Sequence, residues 1–102
     1  MKLVVFRSHM RSDAGPGYAA KATEMLAAAR SMPGFVDFRA YEAADGERLA
    51  LVWWEDEASL RAWRDHPDHR EAQRLGRDQW YASYELEVAT VERSSRFPGA
   101  DS

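Results

Sequence analysis

Residues 53–69 read Trp53-Trp54-Glu55-Asp56-Glu57-Ala58-Ser59-Leu60-Arg61-Ala62-Trp63-Arg64-Asp65-His66-Pro67-Asp68-His69. An apolar strand ends at the paired tryptophans, and Asp56 stands where it can cap a helix. Leu60 and Trp63 are one turn apart, so both are expected on the face that meets a sheet. Pro67 stops that helix. Asp68 and Glu71 have capping-box spacing, with Asp in place of the usual Ser or Thr, and open a short third helix. His69, Ala72, Gln73 and Gly76 fall on one face of it. An aromatic strand follows, from Trp80 to about Val91.

Working outward, Lys2 to Met10 reads as a strand. Leu3, Val5, Arg7 and His9 share one side, and Val4, Phe6, Ser8 and Met10 the other. Both sides are largely apolar, so this strand is expected to be covered on both faces. The Gly and Pro of residues 11–17 mark a loop. Tyr18 to about Ser31 is a helix, with Tyr18, Ala22, Met25, Leu26 and Ala29 on one face. Gly34 to Glu42 is a strand, with Val36 and Phe38 opposite Phe35, Asp37, Arg39 and Tyr41. Ala44-Asp45-Gly46 is a hairpin signal. Arg48 to Glu55 returns, placing Leu49, Leu51 and Trp53 opposite Ala50, Val52 and Trp54.

The order β-α-β-β-α-α-β is the split βαβ pattern of a ferredoxin-like α+β domain with a four-stranded antiparallel sheet. Residues 1–92 form that domain, and 93–102 a polar tail expected to fray. The helices segregate to one sheet face. The other face is also apolar, and its simplest cover is a second copy related by two-fold symmetry, a homodimer.

At 102 residues the chain makes one domain. Four Trp, four Tyr and four Phe are a large aromatic load for that size, enough to line a cavity and pack a partner. The net charge of -3 is interspersed, with no basic stripe for nucleic acid. There is no cysteine, hence no disulfide or thiolate site. The amino-terminal apolar run is too short for a signal peptide, and no run approaches a membrane span. A soluble cytoplasmic protein is expected. No Gly-rich loop opens a helix, so nucleotide cofactors have no signature. Ser8, Ser59 and Ser83 lack the setting of an activated nucleophile. His66 and His69 are separated by Pro67 and do not make a metal site.

Met32-Pro33-Gly34-Phe35, then Trp53 to Leu60, then Ala62-Trp63-Arg64 to His69 resemble the antibiotic biosynthesis monooxygenase domain, over about residues 2–92. The resemblance implies a homodimeric α+β barrel with a pocket between sheet and helices, and a last strand that reaches toward the partner. It implies oxidation of anthrones or quinols by dioxygen without a cofactor in some members, and heme binding and degradation in others. In the heme branch Trp63 matches the helix tryptophan. Arg7 stands where that branch has asparagine. Gln73 stands at its iron-ligating histidine, and His69 lies one turn earlier.

His69 is the first candidate for catalysis, as a general base that deprotonates a phenol or quinol so that the anion meets dioxygen. The structural alternative is a helix-start histidine bonded to backbone or water. His66, before Pro67, reads as a cation at a helix end. Arg7 and His9 project together. Facing a pocket, Arg7 would bind a phenolate, carboxylate or reduced-oxygen anion. Facing solvent or a dimer seam, it is an ion-pair residue, and register decides. Trp63 is expected to stack on a planar substrate, with Trp53 second, Gln73 beside them, and Tyr81 donating a proton or gating. Tyr84 reads as dimer packing. The leading expectation is a cofactor-independent monooxygenase acting on a small aromatic or polyketide-type molecule. The alternatives are a heme protein with altered residues, a binding module without turnover, and a cofactor-free cyclase or isomerase.

Overall fold

The computed structural model describes residues 1–99. Four strands, β1 (Lys2–Met10), β2 (Phe35–Glu42), β3 (Arg48–Trp54) and β4 (Tyr81–Thr90), form one sheet in the order β2-β3-β1-β4. Every neighbouring pair is antiparallel. Helices α1 (Tyr18–Arg30), α2 (Glu57–Arg64) and α3 (Pro67–Leu75) connect them, and a π-helical turn, Gly76–Trp80, joins α3 to β4. This is the ferredoxin-like α+β fold expected from the sequence, except for the π-helical turn, which had no sequence signal. Val91 to Gly99 has no helix or strand. Residues 100–102 of the expected frayed tail lie outside the described residues.

The two sheet faces differ in cover. Trp54 is completely buried and packs with Leu60, Trp63 and Ala29 from the helices. Val4, Val52 and Phe35 join this core. The pairing Val4↔Val52 and the two-residue side-chain period put Phe6, Ser8, Ala50 and Arg48 on the same helix-covered face. Leu3, Val5, Arg7, His9, Leu49, Leu51 and Trp53 fall on the opposite, open face.

Regular pairing breaks at two places, and one is in β1–β4, where the register shifts between His9 and Met10. The β2–β3 register shifts between Phe35 and Asp37, so Phe35 pairs with Trp54 while Asp37 pairs with Trp53. Val36 is the extra residue of this bulge, 42% exposed. Phe35 therefore joins Phe38 on the helix face, against the sequence expectation that set them apart. The packing reason is Trp54, which takes the Phe35 ring edge-on at 5.7 Å.

Local signals explain the turns. In the β2–β3 hairpin Ala43 N–H donates to Glu47 O at 2.8 Å, and Gly46 N–H to Ala43 O at 3.0 Å. Gly46 has φ 90°, the left-handed position such a loop needs. Asp56 caps α2 as expected, accepting from Ser59 N–H and Ser59 Oγ–H, both at 2.8 Å. The capping box expected of Asp68 and Glu71 does not form. His66 is the cap of α3, its Nδ1 accepting from Asp68 N–H at 3.1 Å, and Pro67 is the first helical residue. His66 therefore holds the start of α3 through its ring nitrogen. Glu71 instead accepts from Arg74 at 2.8 Å.

Gly34 links the layers. Its φ is +85°, and a Cβ there would overlap Ser59 of α2. Its carbonyl accepts from Glu55 N–H at 2.8 Å, holding the β3–α2 turn against the start of β2. Gly34→Ala is expected to destabilise the fold by about 2 kcal/mol or more, from positive-φ strain plus the clash. Ser59→Gly should recover only the clash part. A thermal melt of the single and double variants checks this, and an unchanged Gly34→Ala midpoint would refute it.

Candidate functional site

A cavity of about 420 Å³ lies between α1 and the helix-facing side of the sheet, lined by Phe6, Ser8, Tyr18, Phe38, Glu42 and Arg48 among others. Three alanines, Ala22 on α1, Ala40 on β2 and Ala50 on β3, leave the space open. Phe6 and Phe38 supply apolar walls. Ser8, 2% exposed, adds a hydroxyl to the lining. Tyr18 is the first residue of α1, after Gly17. The Arg48 guanidinium lies over its ring, 5.4 Å from the centroid.

Behind Tyr18 stands an aromatic wall. Trp80 meets the Tyr18 ring edge-on at 5.4 Å, and Tyr81 does so at 5.9 Å. Tyr81 also packs against Phe6 at 5.4 Å. The π-helical turn makes this possible, because a Cβ on Gly76 would collide with the Tyr81 ring. Tyr81 O–H donates to Tyr18 Oη across a long 3.5 Å. Burial, reinforced by that bond, pushes the Tyr81 pKa above the usual tyrosine range, so it keeps its proton.

The residues singled out from sequence do not converge here. Tyr81 reaches the cavity through Tyr18. Trp63 is 8% exposed and belongs to the core, stacked on Trp54 with centroids 6.3 Å apart. His69 is half-buried against Trp63, with centroids 5.0 Å apart and Nδ1 3.4 Å from the Arg64 carbonyl. Neither lines the cavity. Gln73 is half-buried on α3, outside the lining.

Arg7, His9 and Trp53 lie across the sheet. The register that was left to decide Arg7 puts it on the open face. There it pairs with Glu47 at 3.1 Å and Glu85 at 3.4 Å, which fits the ion-pair reading and separates it from His69 by the whole sheet. His9 shares that face, and Trp53, expected second in the pocket, does too. Trp54 is the tryptophan that turns toward the helices. Tyr84, expected in dimer packing, is on the helix-facing side of β4, 40% exposed and 5.3 Å from Phe6.

Sequence reasoning missed Tyr18, Ser8, Phe38 and Arg48 as site residues. It placed Tyr18 on the inner helix face, and Phe6, Ser8 and Met10 on one strand side. What it lacked was which side the helices cover, and Trp54 settles that. Heme fits poorly. Of the side chains that commonly bind heme iron, only tyrosine lines the cavity, while His69 lies against Trp63 outside it. Among the described residues no group of three His, Cys, Asp or Glu could hold a metal ion. No helix among them is long and apolar enough to cross a membrane.

Burial holds the His69 pKa below its ordinary 6.5, with the Arg64 carbonyl opposing and His66 adding to the shift. The neutral ring is therefore favoured in the folded state. As pH falls through 6.5 the unfolded chain takes the proton first, so stability drops and levels off only below the folded-state pKa. His69→Leu is expected to flatten that part of the stability–pH curve, read by thermal melts from about pH 5 to about pH 8. An unchanged slope would contradict the assigned burial.

Residues 1–75 match the family model described as antibiotic biosynthesis monooxygenase. The chain is 34% identical over 94 residues to the uncharacterized protein YqjZ of Bacillus subtilis, covering 92% of this chain and 82% of that one. It is 31% identical over 98 residues to a jasmonate monooxygenase of Pyricularia oryzae, covering 94% of this chain but 46% of the relative, so it spans about half that protein's length. Among solved structures, Rv0793 from Mycobacterium tuberculosis superposes with a TM-score of 0.78 at 22% identity, over 92% of this chain and 98% of that one. A variant of SnoaB, a cofactor-independent oxygenase from Streptomyces nogalater, gives 0.77 at 18% identity, over 91% and 94%. These likenesses establish the shared fold.

Proposed function

Because the chain belongs to the antibiotic biosynthesis monooxygenase family, we propose that it is a cofactor-independent oxygenase acting on a small planar aromatic molecule held in the α1–sheet cavity. The observation that carries this reading is the cavity itself, apolar-walled by Phe6 and Phe38 and edged by Tyr18, Ser8 and Arg48. Its shape suits a flat ring and its polar edge suits an oxygen substituent. The SnoaB likeness supports chemistry without a cofactor.

The reaction needs little from the protein beyond stabilising an anion. A ring methylene next to a carbonyl, or a phenolic hydroxyl, loses a proton to solvent water at the open cavity edge to give an enolate or phenolate. That anion passes one electron to dioxygen, and the two radicals join as a carbon–oxygen bond. The peroxide picks up a proton and loses water. In sum, a methylene and dioxygen give a carbonyl and water, and the substrate supplies all four electrons. Arg48 and Tyr18 face the developing oxyanion in this scheme.

The test is oxygen uptake with anthrone and hydroquinone substrates. Filling the cavity with Ala22→Trp is expected to lower uptake at least about tenfold, with the melting temperature kept. Absence of uptake with every substrate overturns the reading. Loss of uptake in His69→Ala, with Ala22→Trp fully active, would move the chemistry to α3.

A second copy of the chain covers the open face in this reading. Leu3, Val5, Leu51 and Trp53 make an apolar patch there, and all three helices lie on the other side. Sedimentation should give twice the chain mass at micromolar concentration, and Leu51→Arg should give one chain. A wild-type protein that sediments as a single chain excludes the homodimer. Cytoplasmic residence is part of the same proposal, motivated by the absence of cysteine and by dependence on a freely diffusing substrate. Fractionation of the source cells tests it, and recovery outside the cytoplasm would refute it.

A further inference from the structure

The geometry points to a narrower ligand class: a planar aromatic molecule that enters already carrying one negative charge, a carboxylate or an acidic enol, bound by Arg48 and Tyr18. This rests on the cavity being the substrate site and goes beyond it in naming the charge state.

Of the residues that line the cavity, Arg48 alone is basic and Glu42 alone is acidic. The closest approach of the two is 4.0 Å, from Arg48 Nε to Glu42 Oε1, beyond a direct hydrogen bond. Arg48 is thereby held near its opposite charge without spending its donors on it. Arg7 shows the contrast, its guanidinium closed off by carboxylates at 3.1 and 3.4 Å on the other face. The Arg48 guanidinium carbon lies 5.4 Å from the Tyr18 ring centroid at the cavity edge, and its planar fork can offer a carboxylate two parallel N–H groups.

Tyr18 supplies the second donor. Tyr81 O–H donates a hydrogen bond to Tyr18 Oη, so the Tyr18 O–H can turn to a ligand. Glu42 sets the upper limit on charge. A second negative group on the ligand would meet that carboxylate in the same 420 Å³ space. One cation, one free hydroxyl and one nearby anion select a monoanion. The Arg48 and Glu42 side chains are about half to two-thirds exposed, at 46% and 64%, so water screens the preference and keeps it moderate.

Calorimetric titration of the full-length protein with 2-naphthoate, 2-naphthalenemethanol and naphthalene-2,6-dicarboxylate tests the assignment. The monoanion is expected to bind about tenfold tighter than the neutral alcohol, and tighter than the dianion. Arg48→Gln should abolish the preference for naphthoate over the alcohol. Tyr18→Phe should weaken naphthoate several-fold, on the order of one neutral hydrogen bond. Glu42→Gln should raise dianion affinity. Arg48 and Glu42 are solvent-facing, so these variants should fold, and melts verify it. Equal affinity for acid and alcohol, a preference that survives Arg48→Gln, or no binding of any of the three overturns the inference. Naphthoate binding is read without oxygen, so this result stands apart from turnover. Binding without oxygen uptake would refute the oxygenase reading and leave the monoanion site, whereas uptake with a neutral preference would do the reverse.

Discussion

Everything in this fold hangs on the burial of Trp54. A tryptophan at the end of a strand cannot be exposed cheaply, and here no part of it meets solvent. Trp63 stacks on it from α2, Phe35 meets it edge-on from β2, and Leu60 closes the space. Truncating a buried aromatic of this kind typically costs about 3–5 kcal/mol, a large share of the stability of a domain this small. Because strands alternate, the inward turn of Trp54 sends Trp53 outward and fixes which residues of β1 face the helices. Ser8 goes in and Arg7 goes out as a consequence.

That one constraint also explains what the sequence told and what it withheld. Element order, the Asp56 cap and the Asp-Gly hairpin are local, and each was legible from a few neighbouring residues. The side of the sheet was not, because both faces of β1 are apolar and neither announces itself as the inner one. The adjacent tryptophans posed the same ambiguity. The bulge at Val36 then shifted the early part of β2 by one residue, which no alternation pattern shows. The π-helical turn was invisible because the fit of Gly76 against Tyr81 that accompanies it is a contact made only in three dimensions. The resemblance named the family correctly while leaving the site to be found on the opposite side of the sheet from Arg7.

Two arginines on neighbouring strands illustrate how surroundings assign roles. Arg7 lies between Glu47 and Glu85 and has its charge answered. Arg48 lies over an aromatic ring, with a single carboxylate at arm's length. The first is suited to holding strands together, the second to receiving something from outside. The histidines divide in the same way. His66 spends its ring nitrogen on a helix start, and His69 rests on Trp63 with its charge disfavoured. The aromatic load thus serves two ends of one layer: a solid one around Trp54 and Trp63, and a hollow one around Tyr18 and Phe38.

The separation of the solid end from the hollow end is the central claim, and ligand mapping by nuclear magnetic resonance tests it most directly. With 2-naphthoate added to isotope-labelled protein, the backbone amide shifts should concentrate at Ser8, Tyr18, Phe38 and Arg48 and leave α2 still. Shifts centred on Trp63, His69 and Gln73, or on Arg7 and Trp53 across the sheet, would contradict it.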